Sequence, residues 1–257
     1  MTFPIPNISN DLTGNVAMVT GASSGLGWRF AQVIARCGAR VVVTARRVDR
    51  QENLANEIRA EGGEVLALAL DVTGAAQITE VVDKAASQWG PITMLVNNAG
   101  IPDAQYATRM SIDLIDRVLD TNIRAPFILS TEIARRLIAS GKPGRIVNIA
   151  SMAAFSYGGG GAALYSTSKA AVIRMTESLA VEWARFNINV NAIAPGAFSS
   201  EMMDGMLARL GDITQHFPRK RLGQPEQMDS TLLYFLAPAS ECVTGTFIKI
   251  DDGQHER

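Results

Sequence analysis

Tyr165 and Lys169, four residues apart in the stretch ALYSTSKAAV, are the first residues whose types and spacing could do chemistry. Residues four apart on a helix share one face and can touch. A tyrosine hydroxyl ordinarily titrates near pH ~10, which makes it a weak acid at neutral pH. Because a neighbouring ammonium favours the phenolate, it can lower that pKa by roughly 1–3. The spacing therefore predicts an acid/base pair; the alternative is a surface tyrosine beside an unrelated, solvated lysine.

The overall composition predicts one large apolar core and no polyanionic partner. The chain has 257 residues, 47% of them hydrophobic, and its 24 basic and 25 acidic side chains nearly cancel. A single α/β domain commonly has this length, so we expect one domain over residues 1–257. Since no block of like charge is present, neither nucleic acid nor an anionic membrane surface is expected as a main partner.

Cysteine, histidine and terminal patterns bear on the compartment and on metals. Cys37 and Cys242 are too few and too far apart for a disulfide framework or a zinc site, which fits a reducing compartment. The first fourteen residues lack the basic and apolar regions of a secretory signal, and no apolar run of about 18 residues predicts a membrane span. We therefore expect a cytoplasmic protein. His216 and His255 have no ligand partner at useful spacing, so no metal site is expected.

Short apolar runs alternate with longer segments of helical period. Continuous apolar runs suit strands covered on both faces, so the alternation predicts a single-domain, doubly wound parallel α/β sheet of about seven strands with helices on both faces. The strand candidates are 16–20, 40–45, 64–70, 93–98, 145–150, 188–194 and 246–250; the helix candidates are 25–38, 48–61, 75–89, 111–140 with a break near Pro126, 164–185 and 225–237. Residues 197–224 read as one long irregular segment, which we interpret as a substrate lid.

Three glycines lie between the first strand and its helix, in VAMVTGASSGLGWRFA. Gly21, Gly25 and Gly27 are spaced to turn the chain tightly and to let a pyrophosphate approach the backbone and the helix N-terminus. A glycine pattern alone is weak, but this position between strand and helix is typical of dinucleotide binding. An ordinary glycine-rich turn is the alternative.

Together with NNAG (97–100), YSTSK (165–169) and APG (194–196), this turn resembles the short-chain dehydrogenase/reductase family from about Leu12 to Gly253. The resemblance implies a Rossmann-like fold, a nicotinamide coenzyme and a catalytic group of four residues. In it, Ser151 holds the substrate oxygen and Tyr165 passes a proton to or from that oxygen. Lys169 holds the nicotinamide ribose and lowers the pKa of the tyrosine. Asn122 keeps a helix bent and anchors a water.

The end of the second strand bears on the choice of coenzyme. Ala45 stands where NAD-preferring members of the family carry an acid, and Arg46 and Arg47 follow it. Guanidinium groups suit a 2′-phosphate, so NADP(H) is favoured over NAD(H), although Ser24 stands where NADP-binding relatives are often basic. The other coenzyme contacts that the resemblance implies, beyond the three glycines, Tyr165 and Lys169, are Ser23, Leu26, Asp71, Val72, Asn98, Ala99, Gly100, Pro195, Gly196 and Ser200.

The expected substrate walls are apolar and adaptable. By resemblance they comprise Ile101, Phe155, Tyr157, Phe198, Met202, Met203 and Met206. Methionines at helical spacing can instead simply pack a lid against its own protein. The run Gly158 to Gly161 is either a flexible loop at the pocket mouth or a simple insertion.

These features together predict an NADP(H)-dependent oxidoreductase that interconverts a ketone and a secondary alcohol of small size. One alternative is a 3-oxoacyl-thioester reductase, for which FPRKRLG (217–223) offers a basic docking patch. Others are a dinucleotide-binding redox sensor without turnover, and an epimerase or dehydratase on the same scaffold. The resemblance also implies a homo-oligomer, a tetramer or a dimer, built on the helices at about 111–140 and 164–185.

Overall fold

The computed structural model describes residues 9–157 and 159–255. The first eight residues, part of the segment judged not to be a secretory signal, lie outside the described residues, as does Gly158 of the glycine run. Within the described chain, no helix combines the length and the apolar character needed to cross a membrane.

In the part of the chain that the structure describes, seven parallel strands form one sheet in the order β3-β2-β1-β4-β5-β6-β7, which confirms the predicted doubly wound architecture. Their bounds are β1 Val16–Thr20, β2 Arg40–Ala45, β3 Val65–Ala69, β4 Met94–Asn97, β5 Gly144–Ile149, β6 Ile188–Pro195 and β7 Phe247–Ile250. In register, Val19 of β1 lies between Val43 of β2 and Val96 of β4. The chain order reverses at β1, and ligands of such sheets bind beyond the carboxyl ends of the strands at that point.

The described residues contain eight α-helices, most of which pack against the two faces of the sheet. They are α1 Gly25–Arg36, α2 Val48–Ala60, α3 Ala75–Trp89, α4 Ile112–Leu119, α5 Ala125–Ser140, α6 Ala163–Trp183, α7 Glu201–Leu210 and α8 Asp229–Leu236. Because side chains alternate along a strand, successive residues of one strand enter different cores. Met18 packs in the core beside α3, α5 and α6, whereas Val19 packs in the core beside α1, α2 and α8.

Two expectations about irregular segments need correction. The segment 111–140 is not broken near Pro126: α4 continues into α5 through a π-helical turn, Asp120–Arg124. Pro126 directly follows this turn, as the second residue of α5. Residues 197–224 are not irregular throughout, since they contain α7 and a short 3₁₀ turn, Ile213–His216. Ser200 accepts from the Met203 N–H at 3.2 Å and so begins α7.

Candidate active site

A cleft of about 1100 Å³ runs along the carboxyl ends of the strands. Its walls come from the segments that follow β1, β2, β3, β4, β5 and β6. Most residues expected to bind coenzyme line it: Gly21, Ser23, Ser24, Gly25, Leu26, Arg46, Arg47, Asp71, Val72, Asn98, Ala99, Gly100, Tyr165, Lys169, Pro195, Gly196 and Ser200. The sheet topology therefore gathers into one cleft residues that are scattered along the sequence.

The glycine turn is locked to the end of β4. Thr20 Oγ1 accepts hydrogen bonds from the N–H groups of Asn98 and Ala99, each at 3.1 Å. The Asn98 side-chain amide donates back to the carbonyls of Thr20 and Gly21, at 2.9 and 3.1 Å. Gly21 has a φ of +65°, and a Cβ there would lie 2.9 Å from the Ala99 Cα. At Gly27 a Cβ would clash with the Gly21 carbonyl oxygen and the Asn98 amide, so this turn requires glycine.

The start of α1 is open to an anion. Ser24 immediately precedes the helix, but its side chain makes no capping hydrogen bond, and the first turn carries no acidic residue. The Ser24 hydroxyl instead accepts from Arg47 Nη2 at 2.9 Å. The first N–H groups of a helix lack intrahelical partners and attract phosphate. An uncapped helix end behind a tight glycine turn therefore fits the pyrophosphate of a nicotinamide dinucleotide.

The far end of the cleft offers groups suited to an adenosine. Asp71 Oδ1 accepts from the N–H and hydroxyl of Thr73, at 3.0 and 2.8 Å. The backbone hydrogen bond, more than the hydroxyl, holds the pKa of Asp71 below its usual value. Arg46 is exposed at the rim. The neighbouring Arg47 is engaged instead, donating to the Ser23 hydroxyl at 3.0 Å.

Tyr165 and Lys169 converge on the first turns of α6, as their spacing predicts. The Lys169 ammonium lies 5.7 Å from the centroid of the Tyr165 ring and donates to the Ile149 carbonyl at the end of β5 at 2.8 Å. Lys169 is only 5% exposed, and a Cβ on Gly100 would lie 3.4 Å from its Nζ. The ammonium is thus held by the end of β5 and lies close to the backbone of Gly100.

The pKa of Tyr165 differs from the expectation based on spacing. Burial raises it above its ordinary value, a hydrogen bond with Ser151 opposes that rise, and the charge of Asp103 adds to it. The largest influence on the pKa of Tyr165 is therefore its burial and not its spacing from Lys169. Burial lowers the pKa of Lys169 to about 8. In the protein without coenzyme, the Tyr165 phenol is therefore protonated at neutral pH, and the neighbouring Lys169 side chain is charged below about pH 8.

Ser151 is positioned by the end of β5, and Asn122 by the π-helical turn between α4 and α5. Ser151 follows β5, and its hydroxyl accepts from the Ala153 N–H at 3.1 Å, which begins a short 3₁₀ turn. Asn122 lies in the π-helical turn and is 1% exposed. Its amide pairs with both backbone groups of Ile101, each at 2.9 Å, and donates to Ser168 Oγ at 3.1 Å. The Asn122 side chain thus braces the loop after β4 against α6.

Asp103 is a residue at this site that the sequence did not single out. It is 3% exposed and lines the cleft. Its carboxylate accepts from the N–H groups of Leu164 and Tyr165, at 2.9 and 3.0 Å, and from the Ala104 N–H at 2.7 Å. Asp103 therefore fixes the start of α6, and with it the backbone of Tyr165, from a loop 61 residues earlier. No local signal reveals this pairing.

Asp103→Asn is expected to move the pH profile of turnover. Because the carboxylate charge raises the pKa of Tyr165, removing it lowers that pKa. The resemblance gives Tyr165 the role of proton donor in ketone reduction, which requires a protonated phenol, so the loss of rate at high pH should begin at a lower pH. Profiles of kcat against pH for wild type, Asp103→Asn and the exposed control Asp113→Asn test this. A uniform loss at every pH, with an unmoved profile, would show that Asp103 has only a structural role.

The expected substrate walls are only partly assembled. Ile101, Phe198, Met202, Met203 and Met206 line the cleft, but Phe155 and Tyr157 lie outside it. Phe155 stacks on Phe247 with ring centroids 5.0 Å apart and lies under Lys249, and Tyr157 is 51% exposed. Of the segment after Ser151, the residues that line the cleft are instead Met152 and Ala153, in the 3₁₀ turn, and Ala162.

The C-terminal segment contributes to the cleft beyond what the sequence indicated. Gln254 pairs with both backbone groups of Ala197, accepting from its N–H at 2.6 Å and donating to its carbonyl at 3.2 Å. His255 lines the cleft, and its Nδ1 lies 3.3 Å from Asp251 Oδ2. The C-terminal segment therefore holds the start of the proposed lid in place.

Comparison with known proteins agrees with this geometry. Residues 15–210 match the family described as short chain dehydrogenase. The chain is 36% identical to the 2-dehydro-3-deoxy-D-gluconate 5-dehydrogenase of Dickeya dadantii, over 95% of this chain and 96% of that protein. It is also 36% identical to a 3-oxoacyl-[acyl-carrier-protein] reductase of Synechocystis sp., over 94% and 97% respectively.

Among solved structures, the fold is similar to that of a gluconate 5-dehydrogenase from Burkholderia cenocepacia in complex with NADP and tartrate. The TM-score is 0.88 at 29% sequence identity, and the match covers 95% of this chain and 96% of that one. The match therefore extends over nearly the whole of both proteins. The chain belongs to the short-chain dehydrogenase/reductase family of NAD(P)-dependent oxidoreductases.

Proposed function

We propose that the protein interconverts a ketone and a secondary alcohol with NADP(H), using Ser151, Tyr165 and Lys169 as its catalytic group. The observation that carries the proposal is the convergence of these three side chains in one cleft with the glycine turn after β1. A bound nicotinamide coenzyme would supply or accept the hydride. The residues of the chain would then orient the substrate oxygen and move its proton.

The proposed roles follow from the contacts of each side chain. In reduction, Tyr165 donates its phenolic proton to the carbonyl oxygen, and the Ser151 hydroxyl donates a hydrogen bond to the same oxygen, which polarises the carbonyl. Lys169, held by the Ile149 carbonyl, stabilises the phenolate that forms. Asn122 and Asp103 act as positioning residues, because they fix the loop after β4 and the start of α6.

For the coenzyme, we propose that NADP(H) is preferred over NAD(H), with Arg46 as the main reader of the 2′-phosphate. Ala45 removes the acid that would repel a phosphate, and Arg46 lines the cleft with an exposed side chain. A guanidinium can give a phosphate two charge-assisted hydrogen bonds.

Arg46→Ala should weaken NADPH binding several-fold more than NADH binding, because only NADPH carries the extra phosphate. Fluorescence titration of each reduced coenzyme measures both dissociation constants. Arg59→Ala, on the outer part of α2, serves as a control for the loss of one surface arginine. An equal loss of affinity for both coenzymes would contradict the assignment of Arg46.

For the substrate, we propose a free ketone rather than a thioester carried by a protein. The basic segment 217–223 does not offer a row of unpaired cations, since Arg219 and Arg221 both pair with Asp252 at 2.8 Å. Asp252 therefore offsets part of the positive charge that a docking patch for an acidic carrier would use. The names of the relatives suggest two classes of substrate to test: keto or hydroxy sugar acids, and 3-oxoacyl thioesters.

A substrate panel assayed with both coenzymes tests the proposal. It should contain small ketones, keto sugar acids and a 3-oxoacyl thioester, with NADPH or NADH oxidation as the readout. Turnover of a free ketone is expected, fastest with NADPH. Tight coenzyme binding without turnover of any member would favour the redox sensor, and turnover of the thioester alone would favour the thioester reductase.

We also propose a homo-oligomer, a tetramer or a dimer, built through the helices α4 to α6. Large apolar side chains on these helices face solvent in the single chain: Ile112 is 69% exposed, Phe127 49% and Val181 81%. Exposed apolar area of this kind marks interaction surfaces. Sedimentation equilibrium would give the number of subunits.

A further inference from the structure

Glu201, the first residue of α7, reaches across the cleft rim to two arginines. Its Oε2 lies 2.8 Å from Arg47 Nη1, and its Oε1 forms an ion pair with Arg50 Nη1. Arg47 precedes α2 and Arg50 lies in its first turn, immediately after the end of β2. The carboxylate therefore comes from the proposed lid, 151 residues beyond Arg50, to the place where coenzyme choice is decided.

Arg47 is the centre of this arrangement. Besides Glu201, its guanidinium donates to the Ser23 hydroxyl at 3.0 Å and to the Ser24 hydroxyl at 2.9 Å. The same side chain thus contacts the glycine turn and the proposed lid. Arg47 and Glu201 both line the cleft. A phosphate on the adenosine ribose would meet an arginine that already has an anionic partner.

We propose that Glu201 is a coenzyme-specificity determinant that competes with the 2′-phosphate of NADP(H) for Arg47 and Arg50. The inference rests on the proposed coenzyme function and deepens it. Where family members that prefer NAD carry an acid at the end of β2, this chain has Ala45, and its carboxylate comes from α7 instead. Without Glu201, the guanidinium groups of Arg46, Arg47 and Arg50 would give a stronger preference for NADP(H). Glu201 therefore limits that preference.

The ion pairs of Glu201 with Arg47 and Arg50 are weak enough for a phosphate to replace the carboxylate. The Arg47 and Glu201 side chains are each 44% exposed, and that of Arg50 is 51% exposed. Exposed pairs of this kind are weak, because water and salt screen them. Partial burial opposes ionisation of Glu201, but the hydrogen bonds from both arginines outweigh it and hold its pKa below the usual value. The competing group is thus a carboxylate at neutral pH, and a phosphate carrying more charge can displace it.

The test compares wild type, Glu201→Gln and the control Asp204→Asn. Asp204 lies in the same first turn of α7, is exposed, and, within the described residues, takes no part in these ion pairs. Isothermal titration with NADPH, NADH, adenosine 2′,5′-bisphosphate and adenosine 5′-monophosphate gives dissociation constants without turnover. Glu201→Gln should tighten binding of the two 2′-phosphorylated ligands by roughly two- to fivefold, the size expected of an exposed pair. Binding of the other two ligands should stay unchanged.

Two further comparisons make the result specific. The effect of Glu201→Gln should shrink in an Arg47→Ala background, since the arginine it competes for is then missing. It should also shrink as ionic strength rises. An unchanged ratio of NADH to NADPH dissociation constants in Glu201→Gln, or an equal change in Asp204→Asn, would overturn the proposal. The ratio in wild type tests the proposed NADP(H) preference separately, so the two ideas fail on different measurements.

Discussion

Tyr165→Phe is expected to lower kcat by roughly 10²–10⁴-fold, the usual contribution of a positioned general acid/base. The substitution removes only the hydroxyl, so the ring remains under the Lys169 ammonium and the start of α6 keeps its hydrogen bonds to Asp103. The coenzyme should therefore still bind with nearly the wild-type affinity. Steady-state kinetics and fluorescence titration of NADPH measure the two properties on the same sample.

Tyr234→Phe is the matched control for this substitution. Tyr234 lies on α8, is 47% exposed and is outside the described lining of the cleft, so loss of its hydroxyl should leave kcat unchanged. Activity of Tyr165→Phe close to that of wild type would refute the proton-transfer role. A loss of coenzyme affinity as large as the loss of kcat would instead make Tyr165 a binding residue.

Gly27→Ala is expected to destabilise the protein and to abolish coenzyme binding. The added methyl would clash with the carbonyl oxygen of Gly21 and with the Asn98 amide. That amide donates to the carbonyls of both Gly21 and Thr20, so neither group can move away without losing a hydrogen bond. Overpacking of this kind costs about 1–3 kcal/mol. In a chain of this size each kcal/mol lowers Tm by roughly 2–4 °C. Thermal unfolding and NADPH titration give the two readouts.

Gly205→Ala provides the opposite outcome in the same assay. Gly205 lies inside α7, and a Cβ there would meet nothing within 4 Å. Replacing a glycine inside a helix by alanine typically stabilises it by about 0.5–1 kcal/mol, so Tm should rise slightly. The prediction for Gly27→Ala is contradicted if that variant has the wild-type Tm and binds NADPH with the wild-type affinity. The close packing at Gly27 would then not be required for coenzyme binding.

The secondary structure and the fold class follow closely from the sequence. The runs 16–20 and 40–45 are strands with the predicted bounds, because continuous apolar runs between turns are a local signal of strands buried on both faces. The break predicted near Pro126 is wrong. The helix instead continues past Pro126, and the irregularity is a π-helical turn that contains Asn122.

The sequence by itself determined the individual strands, the glycine turn and the Tyr165–Lys169 pair, since each depends on residues close together in the chain. Only the tertiary structure decided which distant groups meet: Asp103 with the start of α6, and Glu201 with Arg47. It also decided the direction of the Tyr165 pKa, because burial is a property of packing and not of spacing. The local periodicity of apolar residues specifies the individual helices and strands. Contacts across the cleft depend instead on how the sheet brings the carboxyl ends of its strands together.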